Sequence, residues 1–106
     1  MPDASTLKDL ACSKCGKRFS AAAIQNVCSC GKPLFARYEL RQAAASLNAT
    51  SLAKRAKNLW RYKEVLPGGP ILTLGEGMTP VLHAERLGAR AGLSRLYIKD
   101  ESLNPT

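Results

Sequence analysis

Apolar positions along the chain change their spacing three times. From Leu7 to Tyr38 short apolar stretches alternate with glycine-marked turns. They run Lys8–Ala11, Cys12-Ser13-Lys14-Cys15-Gly16, Arg18-Phe19, Cys28-Ser29-Cys30-Gly31 and Leu34–Tyr38. Stretches this short, bounded by turn residues, predict strands joined by knuckles. From Glu39 to Tyr62 the spacing becomes helical. Leu40, Ala43, Ala44 and Leu47 recur at i, i+3, i+4 and i+7, and Leu52, Ala56, Leu59 and Trp60 recur similarly after Asn48-Ala49-Thr50-Ser51. Two amphipathic helices are predicted, the second capped by that polar cluster, with Trp60 on the core side. Leu66-Pro67-Gly68-Gly69-Pro70 then ends helical structure, since proline lacks the amide donor and glycine carries the largest backbone entropy cost.

Beyond this break, Ile71–Leu74 predicts an extended segment entering the turn Gly75-Glu76-Gly77-Met78-Thr79-Pro80. Ala84, Leu87 and Ala91 followed by Gly92 predict a short helix with a glycine stop, and Arg95–Lys99 a strand running into the polar segment Asp100–Thr106. Extended segment, helix and strand in that order predict the α/β class and the beginning of a sheet that needs parallel neighbours and a second layer of helices. The chain is therefore expected to be the N-terminal part of a longer protein.

The four cysteines sharpen the first segment. Cys12, Cys15, Cys28 and Cys30 lie close together, and none follows Cys30. In a reducing compartment such thiols hold a metal more readily than they form a distributed disulfide framework. Each pair is followed at once by glycine, as in two zinc knuckles facing each other in a zinc ribbon. The first pair has the standard two-residue separation; the second, with Ser29 alone between its cysteines, must bend harder. Few large apolar residues accompany the cluster, and a unit this small usually needs a metal or disulfides. Cys12, Cys15, Cys28 and Cys30 are thus the expected ligands of a structural zinc. Four sulfur ligands leave no open position for catalysis, and the lone His83 is read as an ordinary loop or core residue.

Among 106 residues the formal net charge is +8. Lys17, Arg18, Arg37, Lys54, Arg55, Lys57 and Arg61 are candidates for a basic surface, so a free-standing zinc-ribbon protein that binds RNA or DNA is the alternative from another function class. Only six aromatics are present, several at core-like spacing, so no stacking platform interleaved with the basic residues is visible. No apolar run reaches the roughly 20 residues needed to cross a bilayer, and the N-terminal residues lack a secretory pattern, so no membrane partner and a cytoplasmic location are expected.

Gly75-Glu76-Gly77-Met78-Thr79-Pro80-Val81, preceded by Trp60-Arg61-Tyr62 and Leu66-Pro67 and followed by Lys99-Asp100-Glu101 and Asn104-Pro105-Thr106, resembles the opening of the threonine synthase family. These are pyridoxal-phosphate (PLP) enzymes of the tryptophan-synthase-β-like fold. The resemblance covers most of the chain and rests on the order and spacing of motifs behind a cysteine-rich ribbon. It implies a zinc-ribbon-like module over residues 1–38, a helical linker over 39–65 and the truncated start of a PLP-dependent catalytic domain over 66–106. In the family, the phrase matching Asn104-Pro105-Thr106 leads into Gly-Ser-Phe-Lys, whose lysine forms the Schiff base with PLP. The resemblance therefore implies conversion of O-phosphohomoserine and water to threonine and phosphate by the complete enzyme, and no catalytic residue within this chain, which alone is expected to be inert. Thr79 and Thr106 are the candidates to lie beside substrate or cofactor. Glu76 is read as a loop-orienting residue, and Glu101 as part of a strand-end ion pair. The remainder of its own chain is an expected partner, and a homodimer is left open. Met78 stands where the family phrase has asparagine, which leaves a related PLP lyase or synthase, such as cysteate synthase, as a further alternative.

Overall fold

A computed structural model describes residues 4–105. They divide into two compact units, residues 4–56 with Trp60–Ile71 and Lys57–Leu59 with residues 72–105.

The first unit is built on an antiparallel sheet of β1 (Leu7–Cys12), β2 (Arg18–Phe19) and β3 (Leu34–Tyr38) in the order β2-β1-β3. Leu10 faces Phe19 and Cys12 faces Leu34, with a register irregularity between Leu7 and Asp9. The strand order explains how one acidic residue serves the whole sheet. Asp9 on the central strand meets Arg37 at 3.0 Å from one side and Arg18 at 3.2 Å from the other. Arg37 is its direct register partner, and Arg18, which pairs with Ala11, reaches it along the diagonal.

The first helix starts where predicted but is shorter, and the second is displaced, taking in Ala49–Ser51 of the expected capping cluster and ending at Ala53. Helix α1 spans Leu40–Ala44 and α2 spans Ala49–Ala53, and a 3₁₀ segment occupies Leu59–Val65. Asn48 caps α2 in a reciprocal box, accepting from the Ser51 amide at 2.9 Å while the Ser51 hydroxyl accepts from its own amide at 3.1 Å. The second helix does not continue to Trp60. Beyond Ala53, Arg55 takes a different role: its guanidinium donates to the carbonyls of Ser46 (3.1 Å) and Arg61 (2.5 Å) and to both carboxylate oxygens of Glu64. Trp60 is half-buried.

Glu64 is the most deeply enclosed side chain among the described residues, at 2% exposure. Arg55 contacts it at 2.5 Å and the Ser46 hydroxyl at 2.8 Å, so the buried charge is both paired and hydrogen-bonded. Its main-chain carbonyl accepts from the amide and hydroxyl of Thr6, both at 2.9 Å, while the Thr6 carbonyl receives the Glu39 amide. The residues ahead of β1 are thereby fastened to the 3₁₀ segment.

In the second unit β4 (Val81–His83) pairs with β5 (Tyr97–Lys99), and α3 (Glu85–Ala91) lies between them in sequence. Val81 faces Lys99, Leu82 faces Ile98 and His83 faces Tyr97. Two expectations are revised here. Ile71–Leu74 carries no strand, and Val81–His83 is the extended element instead. The described pairing is antiparallel rather than parallel, because the Ala84 amide bonds the Leu96 carbonyl and the Asp100 amide the Pro80 carbonyl, closing the segment back on itself. The glycine stop is observed: Gly92 ends α3 in the left-handed conformation at φ 72°. Inside α3, Gly88 donates no side chain to a spot where a Cβ would collide with the Leu93 carbonyl. His83, expected in a loop or the core, is instead an exposed residue of β4 that stacks on Tyr97 with ring centroids 4.9 Å apart.

Candidate metal centre

The two knuckles bring all four thiols to one point. Cys12 closes β1, and its main chain is held by the Lys17 carbonyl, while the Cys28 amide is held by the Lys32 carbonyl. The turns are completed by Gly16 and Gly31, whose amides return to the carbonyls of Cys12 and Cys28. Both glycines have positive φ, 74° and 81°, a conformation that a side chain would strain. The four sulfurs lie within 4.8 Å of one another, with Cys12 and Cys30 3.5 Å apart and Cys15 and Cys28 3.6 Å apart. Sulfurs bound at about 2.3 Å to one tetrahedral zinc stand roughly 3.8 Å from each other, so the spacing suits that ion. The single residue between Cys28 and Cys30 does not prevent convergence.

Electrostatics within the cluster are uneven. The amides of Cys15 and Lys14 point at the Cys12 sulfur, each at 3.4 Å, and bring its pKa down to about 6. The Cys30 amide likewise lowers Cys28. For Cys30 the Lys32 amide acts downward, but the thiols of Cys12 and Cys28 outweigh it and push the pKa up to about 11. Cys15 is also raised: the Lys17 amide acts downward and the Cys12 and Cys28 thiols prevail. Cys12 and Cys28 are buried, and Cys15 and Cys30 are exposed. A cation that replaces the shared protons would bring all four to the thiolate form. With four sulfurs filling the coordination shell, such an ion has no position for water and serves to hold the knuckles.

Thr79 lies in the second unit at the end of the Gly75–Pro80 turn and is buried. Its hydroxyl donates to Glu101, and its carbonyl accepts from Lys99 Nζ at 2.8 Å. Glu101 is 3.7 Å from Lys99, in the strand-end ion pair expected from sequence, and it also accepts from Asn104 Nδ2 at 2.8 Å. Asn104 in turn accepts the Gly77 amide at 2.9 Å through Oδ1. Sequence reasoning gave Asn104 no separate role; its spacing of three residues from Glu101 was the available signal. Glu76 orients its own loop, accepting from the Thr73 hydroxyl (2.6 Å) and the Leu74 amide (3.0 Å), and these contacts, the Thr73 hydroxyl foremost, lower its pKa. Thr106 lies outside the described residues. Lys99, beside Thr79, is engaged by the Thr79 carbonyl and Glu101.

Comparison with known proteins gives the chain a clear set of relatives. It is 36% identical over 98 residues to a threonine synthase of Methanocaldococcus jannaschii, covering 90% of this chain and 24% of that protein. A threonine synthase of Methanosarcina acetivorans is 31% identical over 100 residues, covering 92% of this chain and 24% of the relative. A third, of Halalkalibacterium halodurans, is 47% identical over 51 residues, 45% of this chain and 14% of the relative. The chain thus spans about a quarter of the length of the first two. No family model matches, and no solved structure matches. The resemblance read from the order of motifs holds across the aligned sequence.

Proposed function

We propose that this chain is the N-terminal portion of a threonine synthase, bearing a structural zinc ribbon ahead of the first elements of a PLP-dependent catalytic domain. The alignment over nine-tenths of the chain carries this reading. Residues 1–38 are the ribbon, 39–65 the helical linker and 66–106 the start of the catalytic domain. Cys12, Cys15, Cys28 and Cys30 hold the zinc, a role supported by the mutual approach of their sulfurs.

In the complete enzyme PLP would supply an electron sink for removal of protons from the α- and β-carbons of O-phosphohomoserine, with phosphate lost from the γ-carbon and water added at the β-carbon. This chain's residues act on that chemistry indirectly. The Gly75–Pro80 turn is fixed by Thr79, Glu101 and Asn104, and the segment beyond Asn104 leads toward the lysine that binds PLP. The chain alone is inert: the resemblance puts the Schiff-base lysine after the phrase matching Asn104-Pro105-Thr106, and Lys99, beside Thr79, is engaged by the Thr79 carbonyl and Glu101. Thr79 and Thr106 border the substrate and cofactor region. The protein acts in the cytoplasm; no helix of the described residues is long and apolar enough to cross a membrane. Four of the arginines considered for a basic surface have partners within the chain: Arg18 and Arg37 on Asp9, Arg55 on Glu64 and Arg61 on the Leu52 carbonyl. This favours the biosynthetic reading over nucleic-acid binding.

The test is phosphate release. The polypeptide continued beyond Thr106 to the full length of its relatives, supplied with PLP, is expected to release phosphate from O-phosphohomoserine and form threonine, and the 106-residue chain to release none. A full-length protein that binds PLP yet acts on a sulfonated or other phosphorylated amino acid instead would overturn the substrate assignment.

A further inference from the structure

We propose that Glu101 is a positioning residue whose carboxylate locks the Gly75–Pro80 turn to the segment leaving β5. The proposal deepens the threonine synthase reading and rests on it for its catalytic meaning, since that segment is the one leading to the PLP lysine.

Polarity makes the lock directional. One oxygen of Glu101 accepts from the Thr79 hydroxyl and the other from Asn104 Nδ2. Because the carboxylate only accepts, it fixes which end of the Asn104 amide faces it. The opposite end, Oδ1, is thereby turned to receive the Gly77 amide. A flipped Asn104 would set oxygen against oxygen at Glu101 and an amino group against the Gly77 N–H. Lys99 closes the arrangement from the strand, donating to the Thr79 carbonyl and lying 3.7 Å from Glu101. Gly77 has little room to adjust: its φ is 88°, and a Cβ there would stand 2.9 Å from the Leu59 nitrogen. Two residues of the turn, Gly77 and Thr79, are thus placed by one carboxylate, directly at Thr79 and through Asn104 at Gly77.

A suppressor pair tests the lock. Asn104→Asp places a second carboxylate against Glu101, and the Gly77 amide in the 106-residue chain is expected to exchange its hydrogen about tenfold faster. Adding Glu101→Gln restores the contacts with donor and acceptor reversed, the glutamine amino group donating to the new aspartate while its oxygen accepts from Thr79. Exchange is expected to return to within about twofold of the original. Should Asn104→Asp alone unfold the second unit, recovery of its folded amide spectrum in the double variant is the equivalent result. Unchanged exchange in Asn104→Asp, or no suppression by Glu101→Gln, overturns the lock. In the full-length polypeptide with PLP, kcat for phosphate release is expected to fall in Asn104→Asp with KM little changed, and to recover in the double variant. Exchange that responds while kcat does not overturns the positioning role. A full-length protein with no threonine synthase activity before any substitution overturns the functional reading and leaves the exchange result standing.

Discussion

Met78 shows how a single side chain can be at odds with its backbone. Its φ of 52° places it in the left-handed region, the only described residue other than glycine there. An L-residue with a bulky side chain pays roughly 1–2 kcal/mol in that region, whereas glycine enters it freely and asparagine is better tolerated. The family phrase that this turn resembles has asparagine at the position, and the backbone supplies a physical reason. Met78→Gly is expected to raise stability by about 1 kcal/mol, and Met78→Asn by a smaller amount, read as an upward shift of the urea midpoint. A lower midpoint in both variants would mean that the sulfur-bearing side chain contributes more than the backbone costs. The departure was legible in the sequence, but its strain was not, because the angle depends on where Gly77 and Thr79 are held.

At the scale of elements, the Arg55–Glu64 pair fastens the 3₁₀ segment to the chain just after α2 and, through Ser46, to the turn after α1. Hydrogen bonds from Arg55, opposed by desolvation and helped by Ser46, lower the Glu64 pKa from 4.5 to about 2. A carboxyl lowered on folding contributes stability that is present above its unfolded pKa and is lost as pH falls through the folded one. Stability of the first unit is therefore expected to decline between about pH 5 and pH 2. Glu64→Gln should cost about 3 kcal/mol at pH 7, leaving Arg55 without its anion, and should flatten that acid limb. Thermal melts of both proteins across this range are the measurement; parallel acid limbs would assign the decline to other carboxyls. Nothing in the sequence announced this pair. Arg55 and Glu64 are nine residues apart, a separation that no single helix places together, and the apolar period through Leu59 and Trp60 suggested a continuous helix instead. By contrast, the knuckles, the three strands around them and the Gly92 stop were legible, because each depends on residues within one turn of chain. Val81–His83 was missed as a strand because its partner, Tyr97–Lys99, lies across α3 and no local signal joins them.

For the whole molecule, stability is concentrated in few places. The buried apolar side chains among the described residues are Cys12, Cys28 and Ala43, while Ile71, Leu72, Leu74, Val81 and Leu87 are exposed. Burial of this kind supplies little hydrophobic stabilisation, so a metal held by the four cysteines is expected to contribute much of the stability of the first unit. Protein purified under reducing conditions is expected to hold one equivalent of zinc per chain. A chelator should unfold the β1–β3 sheet with a loss on the order of 10 kcal/mol, the scale of structural zinc binding. Less than about half an equivalent, or a melt indifferent to chelation, would count against the ribbon.

The uneven enclosure of the four thiols bears on how quickly an ion comes and goes. Cys12 and Cys28 are enclosed, whereas Cys15 and Cys30 are open to solvent. Were an ion bound there, a competing ligand would meet Cys15 and Cys30 first, before the strands part. Thermodynamic grip and kinetic lability are in this way separable: a tightly held zinc in this ribbon would still trade readily with its surroundings.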